Sequence, residues 1–301
     1  MITSVQMPQL GQLMLTIALV AAVVALVCDF VVVAGRRTPR AAGNTQGGTS
    51  QAAAKVATVR GEKLPSGLAF FGTGFTALAA LILLTYLAMR AWLTGHGPFA
   101  NQHEFAVSFA AGILMAYLFA EWRYRIRALS LGVLPVVIGM LVYANSLDMA
   151  IKPLVPALKN NLMLTLHVAF AVAAYGAACV SFAAAVLHLL HPYVKKVKIL
   201  PSRDVLDDVG YKAAMVTFPL LTMMIVLGAV WANTAWGRYW GWDPKETAAL
   251  VTWLFYGAYL HARVTRGWQG TRSSWLLIIA FASVLFAYFG NHFFGGLHSY
   301  G

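Results

Sequence analysis

Eight stretches of this sequence run for about 20 residues each with almost no charge: 13–34, 68–93, 105–122, 128–147, 162–190, 213–231, 244–261 and 275–294. A helix rising 1.5 Å per residue needs about 20 apolar residues to cross the hydrocarbon core of a bilayer. Membrane β-strands alternate in polarity and run for only about ten. These stretches are longer and continuously apolar, so they predict helices. Composition agrees, with 60% hydrophobic and 11% charged residues and a mean hydropathy of +0.70. Soluble domains carry about a quarter charged residues, which excludes a water-soluble enzyme. The expected fold class is all-α, a polytopic integral membrane protein of about eight transmembrane helices in a single membrane domain, 1–301.

The formal charge is +12, and in a soluble chain such an excess points to nucleic acid. Here its distribution decides otherwise. The connections 35–67, 121–127, 191–212 and 261–274 hold 6, 3, 5 and 3 Lys or Arg, against Arg90, Lys152, Lys159, Arg238 and Lys245 for everything else. Basic loops remain cytoplasmic, so this alternation predicts both termini on the extracytoplasmic side. The charge is mostly topology, spread over four short loops rather than gathered on one soluble face. The first apolar run has no basic residue before Arg36 and no small-residue cleavage pattern, so it reads as a retained helix. Segment 35–67, rich in Ala, Gly, Thr and Gln, reads as a flexible cytoplasmic linker. Cys28 and Cys179 both lie in apolar runs and form no CxxC pair, so the chain has no resident dithiol.

The densest signal is the segment 231–247, predicted to be extracytoplasmic. Four of the nine Trp residues (Trp231, Trp236, Trp240 and Trp242) fall there within twelve positions. An interfacial aromatic belt is one reading. Two details favour a ligand platform. Gly237 and Gly241 alternate with the large rings, leaving bare backbone for a flat partner to approach. Asp243, Pro244 and Glu246 have the spacing of a capping box with proline at the first helical position, which would lock the aromatics to a helix start. Of the eight histidines, His96 and His103 read as interfacial or hydrogen-bonded residues, and His188 and His191 as cations at a helix end. His167, about 8 Å into its helix, and His298, after the last helix, both fall on the side of the Trp-rich loop. They are either cofactor-ligating imidazoles or interfacial polar groups. His261 lies 17 residues beyond Pro244, roughly 26 Å down its helix. An ionisable residue in a span is a functional candidate, the alternative being snorkelling beside Arg263.

The sequence Trp236-Gly-Arg-Tyr-Trp240-Gly-Trp242-Asp243-Pro244-Lys-Glu246-Thr247 resembles the tryptophan-rich WWD segment of the haem-handling membrane proteins that mature c-type cytochromes. Leu166-His167-Val-Ala, Ala258-Tyr-Leu-His261-Ala-Arg and Gly296-Leu-His298-Ser-Tyr are similar to neighbouring pieces of the CcsA/ResC branch, System II. The related System I haem exporters share the Trp-rich segment but differ in size or helix number. The resemblance covers 160–301, a haem-handling core; residues 1–150 match in hydropathy alone.

The resemblance implies a cytochrome c-type biogenesis protein of the bacterial plasma membrane, or of the thylakoid membrane in a plastid. It implies a subunit of a holocytochrome c synthase (haem lyase) that carries haem b as substrate. His167 and His298 would be axial ligands at the outer face. The platform would comprise Trp236, Trp240, Trp242, Gly237, Gly241, Arg238 and Asp243, with Arg238 and Lys245 near the propionates. His261 would be an axial ligand of a membrane-embedded site, its mate on a Ccs1/ResB-type membrane subunit, with His188 the alternative within the chain. Haem would pass outward and be joined by thioether bonds to CxxCH of apocytochrome c, whose thiols a thioredoxin-like protein keeps reduced. Asp243 and Glu246 read as helix caps, and no catalytic acid–base pair is evident. The competing class is a transporter of haem or another small molecule with no part in attachment. Against it stands the lack of the inverted repeats common in secondary carriers.

Overall fold

The computed structural model describes residues 7–35, 67–151, 158, 161–194, 200–290, 294 and 296. The expected linker, Lys152, Lys159 and His298 lie outside them, apart from Gly35 and Gly67 at the linker's edges. Among the described residues there are eight α-helices and no strand: α1 (Met7–Gly35), α2 (Leu68–Thr94), α3 (Gln102–Tyr124), α4 (Ser130–Ser146), α5 (Asn161–Leu190), α6 (Arg203–Trp236), α7 (Pro244–Thr265) and α8 (Thr271–Phe289). One 3₁₀ turn, Arg127–Leu129, leads into α4. Each predicted apolar run has become one helix.

Seven of the eight are long and apolar enough to cross a membrane; α7 is the exception. Its 22 residues suffice in length, but Lys245, Glu246, His261 and Arg263 lower its hydropathy. It packs against α6 and α8. The chain is a polytopic integral membrane protein.

Helices α1–α4 pack as one group and α5–α8 as another, and α5 joins them by packing on α3 and α4 as well as on α6 and α8. That seam needs small residues. A β-carbon on Gly176 would sit 2.7 Å from the Gly112 carbonyl oxygen of α3, so the two backbones approach as only glycine permits. Small side chains continue the seam, with Ala174, Ala178, Ala183 and Ala184 all fully buried.

Polar side chains fix the two ends of the bundle. At the end carrying the Trp-rich segment, Arg90 of α2 is fully buried. Its guanidinium donates to Glu104 (2.6 Å), to the Tyr86 hydroxyl (3.1 Å) and to the Met149 carbonyl (2.7 Å). His103 bridges the Tyr86 hydroxyl (2.8 Å) and the Ala144 carbonyl (2.9 Å). Arg90, counted above among the loop cations, is therefore an internal strut, and His103 is a buried, hydrogen-bonded residue. At the opposite end, Asp207 of α6 accepts from Arg263 of α7 (2.5 Å) and from the Gly270 amide before α8 (2.9 Å), tying the last three helices together.

Candidate functional site

The Trp-rich connection is held from both sides. Helix α6 closes on Gly237, whose φ of 74° is left-handed and whose amide donates to the Asn233 carbonyl at 2.9 Å; glycine takes that conformation without steric cost. Helix α7 opens on the expected capping box. The Asp243 carboxylate accepts from the Lys245 amide (3.0 Å), and the Glu246 carboxylate accepts from the Asp243 amide (3.2 Å) and the Gly241 amide (2.8 Å). Between these anchors Trp242 adopts a φ of 56°, an uncommon conformation for a bulky residue. Its indole is 69% exposed and meets Trp240 edge to face at 5.7 Å. Gly296 lies so close to the Asp243 carboxylate and Pro244 that a β-carbon on it would overlap them.

Beside this connection a cavity of about 130 Å³ opens among α3, α4, α5, α6, α7 and α8. Its aromatic walls include Phe105, Phe109, Tyr175, Trp231, Trp240 and Tyr288. Lys245 and Glu246 line it from the first turn of α7. The Lys245 ammonium lies 5.2 Å from the centre of the Phe105 ring, a cation held over an aromatic face.

His167 is in the cavity wall. Its Nδ1 lies 2.7 Å from the Met224 carbonyl oxygen of α6. A carbonyl only accepts, so Nδ1 carries the proton; in the neutral ring the lone pair is then on Nε2, the tautomer a metal ligand requires. The ring lies nearly parallel to Trp231, at 14° and 6.3 Å. Gly228 admits it: a β-carbon there would sit 2.8 Å from the imidazole.

Of the residues predicted from sequence, His167 and Trp240 line the cavity. Trp236 stands behind it, edge-on to Trp231 at 4.8 Å, and Trp242 forms an exposed rim. Gly237 is a helix cap. The bare backbone of Gly241 faces the Arg238 guanidinium, 2.9 Å from where its β-carbon would be. Arg238 itself is exposed and absent from the cavity lining, where Lys245 is the cation. His261, exposed on α7, lies roughly 26 Å along the helix from Pro244 and is not brought to this cavity. His188 is no free helix-end cation. Its Nδ1 donates to the Arg203 carbonyl (3.0 Å) and its Nε2 accepts from the Arg203 guanidinium (2.9 Å).

Sequence reasoning missed the far wall. Phe105, Phe109 and Tyr143 come from helices that carried no motif. The spacing of Phe105 and Phe109, one helical turn, was the available signal.

An aromatic cavity bearing a histidine whose tautomer is fixed, at one end of a polytopic bundle, defines a membrane protein built around an apolar site with one ring-nitrogen donor. Residues 68–298 match the family described as Cytochrome C assembly protein, and the chain belongs to that family. A cytochrome c biogenesis protein CcsA of Picosynechococcus sp. is 34% identical over 302 residues, covering 78% of this chain and 89% of the relative. The CcsA proteins of Gloeobacter violaceus and Guillardia theta are also each 34% identical, covering 76% and 77% of this chain and 86% of each relative. Among solved structures, the cytochrome c haem lyase CcmF superimposes with a TM-score of 0.61 at 18% identity. That match covers 93% of this chain but 46% of CcmF, so the chain spans about half that protein's length and shares its fold. The family membership makes this a protein of cytochrome c maturation, a process that handles haem and apocytochrome c.

Proposed function

We propose that the chain binds haem b, as substrate, against the aromatic wall of the cavity at its Trp-rich end and presents it there for attachment to apocytochrome c. The observation that carries this reading is His167: its ring proton is committed to Met224, and it stands in a wall of aromatic rings that also contains one lysine. An imidazole lone pair suits haem iron, flat apolar walls suit the porphyrin, and Lys245 suits a propionate.

His298 is the second axial ligand in this reading. Gly296, two residues before it in the sequence, packs on the Asp243 cap, which supports this assignment. The distribution of Lys and Arg supports an extracytoplasmic position for that connection and for both termini. Trp236, Trp240, Trp242, Gly237, Gly241, Asp243 and Arg238 shape the connection, with Trp242 as the rim that apocytochrome meets.

His261 serves a second haem site shared with a Ccs1/ResB-type membrane subunit. Its exposure on the bundle surface leaves it accessible to such a subunit. Both ring nitrogens of His188 are occupied by Arg203, which supports a mate from the partner over one from this chain.

In the attachment each S–H of CxxCH adds across a haem vinyl group. Sulfur bonds to one carbon and hydrogen ends on the other, with no net oxidation. The thiols come from apocytochrome c, kept reduced by a thioredoxin-like protein, because Cys28 and Cys179 are both buried and lie on different helices. The chain contributes positioning, where proximity supplies much of the rate.

The test is the visible spectrum of the chain purified with its partner, alongside cytochrome c yield in cells, for the native sequence, His167→Ala and His298→Ala. Loss of the bis-histidine spectrum and of thioether-linked cytochrome is expected in both variants. Unchanged bound haem and unchanged yield in both would sink the reading.

A further inference from the structure

Five buried side-chain atoms among the described residues have no hydrogen-bond partner, and four of them are the oxygens Asp29 Oδ1, Asp29 Oδ2, Glu121 Oε2 and Ser130 Oγ. They belong to α1, α3 and α4, at the end of the bundle away from the cavity. Asp29 is 1% exposed, Ser130 0% and Glu121 6%. The groups are also neighbours: Ser130, Glu121 and Arg127 all act on the Asp29 carboxylate.

The surroundings explain why nothing among the described residues satisfies Asp29. Helix α2 presents Gly72, whose backbone lies so close to the Asp29 carboxylate that a β-carbon would overlap it. Thr76 of the same helix donates to its own backbone, to the Gly72 carbonyl at 3.0 Å, and Thr73 donates to Glu121 Oε1 at 2.6 Å. From α3 come Glu121 and Tyr117, from the 3₁₀ turn Arg127, and from α4 Ser130; no other described ionisable side chain acts on Asp29. Arg127 is spent on the first oxygen of Glu121, at 3.1 Å. Among the described residues, two carboxylates and one guanidinium leave a single uncompensated negative charge, in a place where burying one is costly.

We propose that Asp29, Glu121 and Ser130 form a binding site for one monovalent cation, a proton or an alkali-metal ion. The charge balance selects the valence, because a divalent ion would exchange one buried negative charge for one buried positive. The donor set selects the chemistry, because all four unpartnered atoms are hard oxygens. The site is independent of the haem reading. It gives a role to the half of the chain that carries no motif: α1 packs on α2 and α4 here, so occupancy sets how firmly α1 is seated.

The experiment uses the full chain purified with its membrane partner in detergent, and measures the thermal unfolding midpoint in two arms. One varies pH at constant potassium chloride. The other replaces choline chloride by sodium or potassium chloride at constant pH and ionic strength. The native chain is expected to gain stability on acidification if the cation is a proton, or on sodium or potassium addition if it is a metal ion. Asp29→Asn, neutral and of the same shape, should lose that dependence while remaining folded. Glu121→Gln should lose it too, because it removes the uncompensated charge by another route. In the sodium or potassium arm, Ser130→Ala should keep the dependence but need roughly three- to tenfold more of the ion, the worth of one ligand hydrogen bond. Parallel dependence in the native chain and Asp29→Asn in both arms, or no dependence in either, overturns the proposal.

Discussion

The two ends of the bundle differ in how completely they satisfy buried polar groups. At the Trp-rich end Arg90, Glu104, Tyr86 and His103 bond to one another and to backbone carbonyls, and the Asp243–Glu246 box closes the start of α7. At the other end lie all five of the described buried side-chain atoms that lack partners, on Asp29, Glu121, Ser130 and Arg203. A satisfied network has one geometry and holds it. The cavity that needs accurate placement of His167 is framed by the first kind of end, and the group that awaits a ligand belongs to the second.

That contrast can be broken by substitution. Arg90→Leu should cost the most, about 3–5 kcal/mol, because it leaves the Glu104 carboxylate buried without its cation. The thermal midpoint should fall steeply, and adding Glu104→Leu should recover part of the loss. Gly228→Ala should come next. Its methyl would meet the His167 ring, and overpacking of this kind costs about 1–3 kcal/mol. Bound haem, read from the visible spectrum, should fall while the fold, read by circular dichroism, persists. Asp243→Ala removes the cap of α7 and should cost about 1 kcal/mol, measured as a modest drop in the midpoint. Smallest is Asp29→Asn at saturating cation, within about 1 kcal/mol of the native chain. If it destabilises as much as Arg90→Leu, the two ends are alike and the comparison fails.

Much of this was legible in the sequence, because apolar length and capping chemistry are local. All eight runs became helices, and Asp243, Pro244 and Glu246 form the box their spacing predicts. The cavity was legible on one side only. Trp240 and His167 announce themselves, whereas Phe109, Tyr175 and Tyr288 are ordinary core aromatics until the packing of α3, α5 and α8 brings them together. Arg90 shows the limit of counting charges. As a cation near the end of an apolar run it reads as a loop charge, and only the approach of α3 and of the Met149 carbonyl reveals it as fully buried. Asp29 was missed for a related reason: whether a carboxylate is partnered is a property of three other helices.

Helix α7 alone among the eight falls short of the hydropathy of a membrane span. A segment that polar gains little by leaving the translocon for lipid unaided. It can settle only against proteinaceous neighbours, α6 already waiting and α8 still to emerge, with Asp207 gripping Arg263 and Gly270. The last three helices are therefore one packing unit, in which α7 is seated by its neighbours rather than by its own hydropathy.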